Sequence, residues 1–233
     1  VTQSADRTDA ASCVVGTKIY LIGGKENNAY CKNIKVFNTA NNTFSTLNGG
    51  FSDRYPYGCV GATAVAIGTK IYIFGGAGDN ATYDILSGVA VFDTAKSTCT
   101  RLDVTCTDKA LSQATLTYAA SAVVGSKVYL FGDKNTNRIG IFDTASNEYT
   151  FLNDVFPADP YTYGMACDMP AAVIEDKVYL FGGNGSVRSG GYNYDAVSVF
   201  DTKTNTLSIV DAKLPKSLNR IRAIANVPTS TAD

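Results

Sequence analysis

The chain of 233 residues contains no histidine and no tryptophan. Without histidine it lacks the commonest general acid–base group, the Ser-His-Asp triad and every imidazole ligand for a metal ion. Two carboxylate pairs, Asp79 with Asp84 and Asp154 with Asp159, fall in predicted loops, where turn capping or solvation is the expected role. We therefore predict a protein that is not an enzyme and that needs no cofactor and no metal ion.

Long apolar runs and a surplus of charge are also absent. No stretch of about 18 apolar residues occurs, so no membrane-spanning helix is expected. The net charge of −1 argues against nucleic acid as a partner, because phosphate binding needs clustered cations. The opening VTQSADRTDA has no basic stretch before an apolar core, so no signal peptide is expected there. The length suits a single domain spanning residues 1–233.

The six cysteines leave the redox state open. An even count is compatible with disulfides, and Cys99 and Cys106 are the most plausible local pair, whereas small buried thiols are the alternative. Three N-x-S/T sequons make Asn41, Asn80 and Asn184 candidate N-glycosylation sites, although so many are expected by chance in this composition. Together with abundant Ser, Thr and Asn, these features lean towards an extracellular location over a cytoplasmic one without deciding between them.

Two short phrases recur four times in a fixed order, roughly 50–57 residues apart. The first phrase reads GTKIYLIGG (16–24), GTKIYIFGG (68–76), GSKVYLFGD (125–133) and EDKVYLFGG (175–183). The second reads VFNTANNTF (36–44), VFDTAKSTC (91–99), IFDTASNEY (141–149) and VFDTKTNTL (199–207). This spacing is typical of the blades of a β-propeller.

Each repeat predicts four antiparallel strands, a to d. Small residues form strand a, which suits the crowded centre of a propeller, and the continuously apolar strand b indicates a sheet covered on both faces. The diglycine after strand b predicts a bulge or a close backbone approach. Between strands c and d, Asn38, Asp93, Asp143 and Asp201 open a turn, and Asn42, Ser97, Asn147 and Asn205 occupy positions suited to a left-handed backbone.

The diglycine of YLIGG, the VFDT hairpin and the four-strand spacing resemble kelch repeats over nearly the whole chain. The resemblance implies an all-β, kelch-type β-propeller with four four-stranded antiparallel blades, in repeats at about 7–50, 51–105, 112–153 and 164–211. The tryptophan usual in strand d is replaced by Phe44, Cys99, Tyr149 and Leu207, and the third diglycine reads Gly132-Asp133.

A trailing segment, RIRAIANV (220–227), looks like a further inner strand a with no b, c or d behind it. Either four blades close on themselves, or the chain is part of a larger propeller or assembly. The lone strand also offers an edge for pairing with a neighbouring chain.

In such a meander the a–b and c–d turns lie on one face of the disc, and the b–c and d–a loops lie on the other. The second face is predicted to bind a partner, because loops held on a rigid scaffold commonly carry function. Tyrosines and arginines favour recognition there by offering large contact area with a polar end. The candidates are Arg54, Tyr55, Tyr57, Tyr83, Tyr161, Tyr163, Arg188, Tyr192 and Tyr194.

The residues are compatible with three alternative functions. The first is a non-catalytic interaction module that binds a protein partner through the face with the long loops. The second is an extracellular glycan-binding protein, with tyrosines stacked on sugar rings, or a structural subunit of an assembly. An enzyme is the third, and the missing histidine disfavours it.

Overall fold

The computed structural model describes residues 7–48, 59–78, 88–106, 116–132, 138–153, 155, 169–182, 184–185, 192–193 and 196–214. All regular secondary structure within these ranges is β-strand. No helix in the described part of the chain is long and apolar enough to cross a membrane. The trailing segment 220–227 lies outside the described ranges.

Four sheets, the blades, contain the repeats, and each includes a set of four antiparallel strands. Blade 1 consists of β2 (Ala11–Val15), β3 (Lys18–Ile22), β6 (Ile34–Asn38) and β7 (Thr43–Leu47). Blade 2 consists of β8 (Thr63–Ile67), β9 (Lys70–Phe74), β10 (Val89–Asp93) and β11 (Thr98–Arg101). Blade 3 consists of β13 (Ala120–Val124), β14 (Lys127–Phe131), β15 (Ile139–Asp143) and β16 (Glu148–Leu152). Blade 4 consists of β17 (Ala171–Ile174), β18 (Lys177–Phe181), β21 (Ala196–Asp201) and β22 (Thr206–Lys213).

The blades follow one another around a common centre. Each pairs its strands in the order a, b, c, d, and the four a strands contact each other in sequence, β2 with β8, β8 with β13 and β13 with β17. A hydrogen bond of 2.7 Å joins Thr63 Oγ1 and Ser121 Oγ across two of these strands. The predicted kelch-type β-propeller architecture, with the small-residue strands innermost, is thereby confirmed.

The turns between strands c and d are held by the side chains that the sequence singled out. The Asp93 carboxylate accepts hydrogen bonds from the backbone amides of Ala95 and Lys96 at 3.0 and 3.1 Å. Thr94 Oγ1 donates to the carbonyl of Thr69 in the a–b turn at 2.8 Å, and the other three repeats make the equivalent bond. The predicted left-handed residues have φ values of 55–58°, namely Asn42, Ser97, Asn147 and Asn205.

The hydrophobic core lies between the blades, in three separate clusters. One cluster joins blades 1 and 2, one joins blades 2 and 3, and one joins blades 3 and 4. We call the side of a blade that faces the preceding blade its leading face, and the side that faces the following blade its trailing face. Because successive residues of a strand point to opposite sides, each strand contributes to both faces.

Six short strands extend this frame. Strands β1 (Arg7–Thr8), β4 (Lys25–Glu26) and β5 (Ala29–Tyr30) form a small sheet, and β19 (Asn184–Gly185) pairs with β20 (Tyr192–Asn193). Strand β12 (Thr105–Cys106) runs parallel to β16 and makes blade 3 five-stranded. The connection from blade 2 to blade 3 thus covers an outer edge that would otherwise be an open template for pairing.

The proposed disulfide between Cys99 and Cys106 is not formed. Cys99 pairs across with Phe92 inside blade 2, whereas Cys106 pairs with Tyr149 on the edge of blade 3. The two cysteines therefore belong to different sheets despite their short separation in sequence. All five cysteines within the described ranges are thiols.

Candidate functional site

The two ends of the blades differ in how the strands are connected. At one end, which we call the turn face, the a–b and c–d turns are short and tied together by the Asp and Thr bonds described above. At the other end, the loop face, between 7 and 14 residues join strands b and c of one blade. Longer segments join strand d of one blade to strand a of the next. Among the connections between the described blade strands, those of the loop face alone are long enough to form a large variable surface.

The diglycine sets where each of these loops begins. A Cβ on Gly23 would lie 2.4 Å from the carbonyl oxygen of Cys59, and one on Gly75 would lie 1.9 Å from that of Leu116. The amides of Gly24 and Gly76 donate to the same two carbonyls at 2.7 and 2.8 Å. The predicted close backbone approach is confirmed, and its target is the start of the following blade.

A polar platform stands on the loop face of blade 1, formed by β1, β4 and β5. The Arg7 guanidinium, whose side chain is 5% exposed, contacts the Glu26 carboxylate at 3.0 Å and bonds to both the backbone and side-chain oxygens of Asn33. Lys35 reaches the same carboxylate at 2.5 Å. The hydrogen bond from Lys35, with a further contribution from Arg7, lowers the pKa of the Glu26 carboxyl. The network fixes the first b–c loop to its blade.

The outer part of this platform presents a cation and an aromatic ring. Lys25 Nζ lies 4.7 Å from the centroid of the Tyr30 ring, and Lys25 pairs with Tyr30 across the two strands. A second cation, Arg138, enters blade 3 from its b–c loop and stacks 4.3 Å over the Phe151 ring. Arg138 is buried, so its part is to anchor the loop, whereas Lys25 and Tyr30 are half-buried and reach solvent.

Most residues predicted to bind a partner lie outside the described ranges: Arg54, Tyr55, Tyr57, Tyr83, Tyr161, Tyr163, Arg188 and Tyr194. Tyr192 is in β20, where its backbone pairs with Gly185. These positions remain predictions. The platform residues Arg7, Lys25, Glu26 and Tyr30 were missed, although the juxtaposed charges of the KEN segment could have indicated an ion-pair network.

The glycosylation candidates are placed as follows. Asn41 is exposed in a c–d turn on the turn face, where its Oδ1 accepts a hydrogen bond of 2.7 Å from Thr43 Oγ1. Asn184 lies in β19, and Asn80 is outside the described ranges. Asn41 is thus accessible on the face opposite the loops, and its modification remains a prediction.

Reactive groups are few among the described residues. No group of three or more Cys, Asp or Glu side chains within them is arranged to hold a metal ion. Burial raises the pKa of the Cys13 thiol to about 12 and does the same for Cys59. Because the thiolate is the nucleophile, both cysteines are protonated and inert at neutral pH.

A family model described as the KLHDC2/KLHL20/DRC7 Kelch-repeats domain matches residues 2–167. The matched segment includes blades 1 to 3, and blade 4 continues beyond it with the same order of strands.

Proposed function

The chain belongs to the kelch-repeat family, whose domains are protein-interaction modules, and we propose that it binds a protein segment across its loop face. The proposal concerns a binding module rather than an enzyme. Its premise is that a rigid frame of blades holds variable loops in fixed positions relative to one another.

One observation carries the proposal: the two ends of the blades are not equivalent. The turn face is made of short turns whose polar side chains already bond to their own backbone. On the loop face, the platform of β1, β4 and β5 leaves Lys25 and Tyr30 accessible on a frame fixed by ion pairs. Polar groups that already form hydrogen bonds within the chain gain little by bonding to a partner. Accessible side chains on a rigid platform are better suited to binding.

The residues available there favour a particular kind of partner. Among the described residues, Lys25 supplies a cation and Tyr30 an aromatic ring. The sequence predicts that Arg54, Arg188 and several tyrosines add to them. Cations pair with carboxylates, and tyrosine rings favour apolar groups with a polar neighbour. We therefore propose a segment that carries acidic and apolar side chains.

The test compares variants on the two faces in quantitative affinity purification from the source cells. One variant combines Lys25→Ala with Tyr55→Ala and Arg188→Ala on the loop face. Its control combines Lys96→Ala with Lys203→Ala on the turn face, where both lysine side chains are more than two-thirds exposed.

We expect the loop-face variant to lose a specific partner at least tenfold relative to the wild type, and the turn-face variant to retain it. The turn-face variant should keep the melting temperature of the wild type, since its two lysine side chains are exposed. The melting temperature of the loop-face variant is measured beside it to confirm that the variant is folded. Equal loss from the two faces, or loss from the turn face alone, would contradict the proposal.

A further inference from the structure

In blades 1 to 3, the residue two positions before strand a has a left-handed backbone. These residues are Asp9, Gly61 and Tyr118, with φ values of 57°, 65° and 59°. The amide of Gly61 donates to the carbonyl of Asp9 at 3.1 Å, and the amide of Tyr118 donates to the carbonyl of Gly61 at 2.7 Å. We call these three residues the axial row, because their hydrogen bonds run from blade to blade beside the innermost strands.

The axial row lies at the centre of the loop face. Strand a of each blade starts at the end where the d–a segment enters, and the a strands of successive blades contact each other. Two b–c loops begin beside the row, since the amides of Gly24 and Gly76 donate to the carbonyls of Cys59 and Leu116. Each of these carbonyls belongs to a residue two positions before a member of the row. A segment bound across the loop face would therefore pass over the axial row.

Tyr118 is the unusual member of the row. Among the described residues other than glycine, left-handed φ values occur at Asn, Asp, Ser and Glu residues and at one aromatic residue, Tyr118. A bulky side chain makes this backbone conformation a steric outlier, because Cβ approaches the backbone too closely. Outliers of this kind persist where the surrounding structure holds them, and they cluster at sites that bind ligands. The conformation of Tyr118 therefore calls for a functional explanation.

The ring of Tyr118 rests on the bare backbone of the neighbouring blade. A Cβ on Gly61 would lie 2.8 Å from Cε1 of Tyr118 and 3.0 Å from its Cδ1 and Cζ. The glycine thus provides a seat that any side chain would fill. Tyr118 is half-buried, so part of its surface remains accessible. A ring held by this seat and by its own backbone loses little conformational freedom when a partner contacts it.

We propose, on the basis of the loop-face binding proposed above, that Tyr118 receives an apolar side chain of the partner segment and that Gly61 fixes the position of its ring. Residues that dominate binding cluster near the centre of an interface and are often tyrosines, whose rings pack on apolar groups. The platform adjoins this point, because Thr8, which precedes Asp9, pairs with Lys25. One segment can therefore place an acidic side chain at Lys25 and an apolar one on Tyr118.

The test uses peptides selected on the wild-type chain from a random library displayed on phage. Their affinities are measured by fluorescence anisotropy at a temperature where circular dichroism shows every variant to be folded. Tyr118→Asn removes the ring and leaves a residue that tolerates a left-handed backbone, whereas Tyr118→Phe keeps the ring. Glu175→Asn is the control, since it makes the same kind of exchange at a φ of 56° in an a–b turn of the turn face.

We expect Tyr118→Asn to weaken peptide binding by about tenfold or more, because it truncates a central contact. Tyr118→Phe should retain most of the affinity, and Glu175→Asn should bind like the wild type. The melting temperature of Tyr118→Asn should stay close to that of the wild type, since relief of backbone strain offsets the packing lost on Gly61. A selection repeated on Tyr118→Asn should no longer enrich the apolar residue that the wild type enriches, which a purely structural role of the ring would not change.

Two results would overturn the role of Tyr118 and leave the proposed binding face standing. The first is that peptides which lose affinity for the loop-face variant keep full affinity for Tyr118→Asn. The second is that selection on Tyr118→Asn enriches the same apolar residue as selection on the wild type, in which case the ring supports the fold only. Peptides that bind the loop-face variant as well as the wild type, or a selection that yields no binding peptide, would contradict the proposed function and this inference with it.

Discussion

Blades 1 and 3 use the same cross-strand row of side chains in different surroundings. In blade 3 the row contains Val128 and Phe142, both fully buried between neighbouring blades. In blade 1 the corresponding residues, Ile19 and Phe37, are half-buried on its leading face, which no core cluster of the described residues joins to another blade. The difference shows that burial in this fold is a property of the joint between two blades, and not of the single repeat that the sequence displays.

The largest expected effect comes from removing the same aromatic ring in the two blades. Phe142→Ala should destabilise the protein by about 3–5 kcal/mol, because it opens a cavity between blades 2 and 3. Phe37→Ala should cost about 1 kcal/mol, since its ring is already partly in water. Urea unfolding at a concentration where the chain is monomeric measures both. Equal losses would mean that the leading face of blade 1 is as well packed as the joint between blades 2 and 3.

The second comparison separates a contact between blades from backbone strain within one blade. Gly75 and Gly68 have φ values of 61° and 60°, but a Cβ would meet the Leu116 carbonyl oxygen at 1.9 Å in the first and nothing within 4 Å in the second. Gly68→Ala should cost about 1–2 kcal/mol from strain alone. Gly75→Ala should cost roughly 1–3 kcal/mol more through overpacking. Thermal unfolding measures the loss of stability in both variants. Equal shifts in melting temperature would contradict a steric cost at Gly75 beyond backbone strain.

A third comparison removes only a hydroxyl. Tyr72→Phe should destabilise the monomer by about 1 kcal/mol, because it deletes the hydrogen bond with Thr144 between blades 2 and 3. Tyr179→Phe should have almost no effect on the monomer, because within the described residues no strand of a following blade packs against Tyr179. Urea unfolding of the two tyrosine variants measures the difference in stability. In a background that already carries Thr144→Val, Tyr72→Phe should cause no further loss.

The pH dependence sharpens this third comparison. Burial raises the pKa of Tyr20, Tyr72 and Tyr129, with the threonine bonds offsetting part of the rise. A tyrosine whose pKa is higher in the folded state than in the unfolded state stabilises the folded protein as long as its hydroxyl is neutral. The stability is therefore fully present below the unfolded pKa of about 10 and is lost as pH rises through the folded value. Tyr72→Phe should make the alkaline loss of stability smaller, whereas an unchanged profile would contradict the raised pKa.

The smallest effect concerns the a–b turn of blade 4. Gly16, Gly68 and Gly125 hold φ values of 57–62° in the first three blades, and Glu175 holds 56° at the same position. Glu175→Gly should stabilise the protein by about 0.5 kcal/mol, because relief of left-handed strain slightly exceeds the added freedom of the unfolded chain. The reverse change in blade 3, Gly125→Glu, should destabilise it. Calorimetry measures both shifts, and destabilisation by Glu175→Gly would mean that the Glu175 side chain contributes more than the strain removes.

Local features of the repeat were predictable because their causes are local. The Asp-Thr turn and the left-handed Asn147 follow from the side-chain chemistry of a few neighbouring residues. The apolar run of strand b correctly indicated two covered faces for blades 2 and 3. In β3 and β18 the same run alternates between buried and half-buried residues, so for these two strands it overstated the burial of one face.

Features that depend on contacts between two repeats could not be predicted from the sequence. Strand β12 has only two residues and pairs in parallel with the next blade, so it leaves neither alternation nor a turn signal. The same pairing explains why proximity in sequence was a poor guide to the partner of Cys99. On the candidate site, the loop face follows from the order of strands, whereas the ion pairs of Arg7 and Glu26 arise because β1 returns to the first b–c loop.

At each of the three joints between the described blades, a strand-b tyrosine packs on a strand-c phenylalanine of the next blade and bonds to the threonine two residues after it. The tyrosine and the Phe-x-Thr segment of this joint are both encoded in every repeat, and this has a consequence for evolution. A tandem duplication of one repeat inserts a unit that already fits the neighbour on each side, with no compensating mutation at either border. Unequal recombination between repeats can therefore lengthen or shorten the array while the rings at each new border still meet.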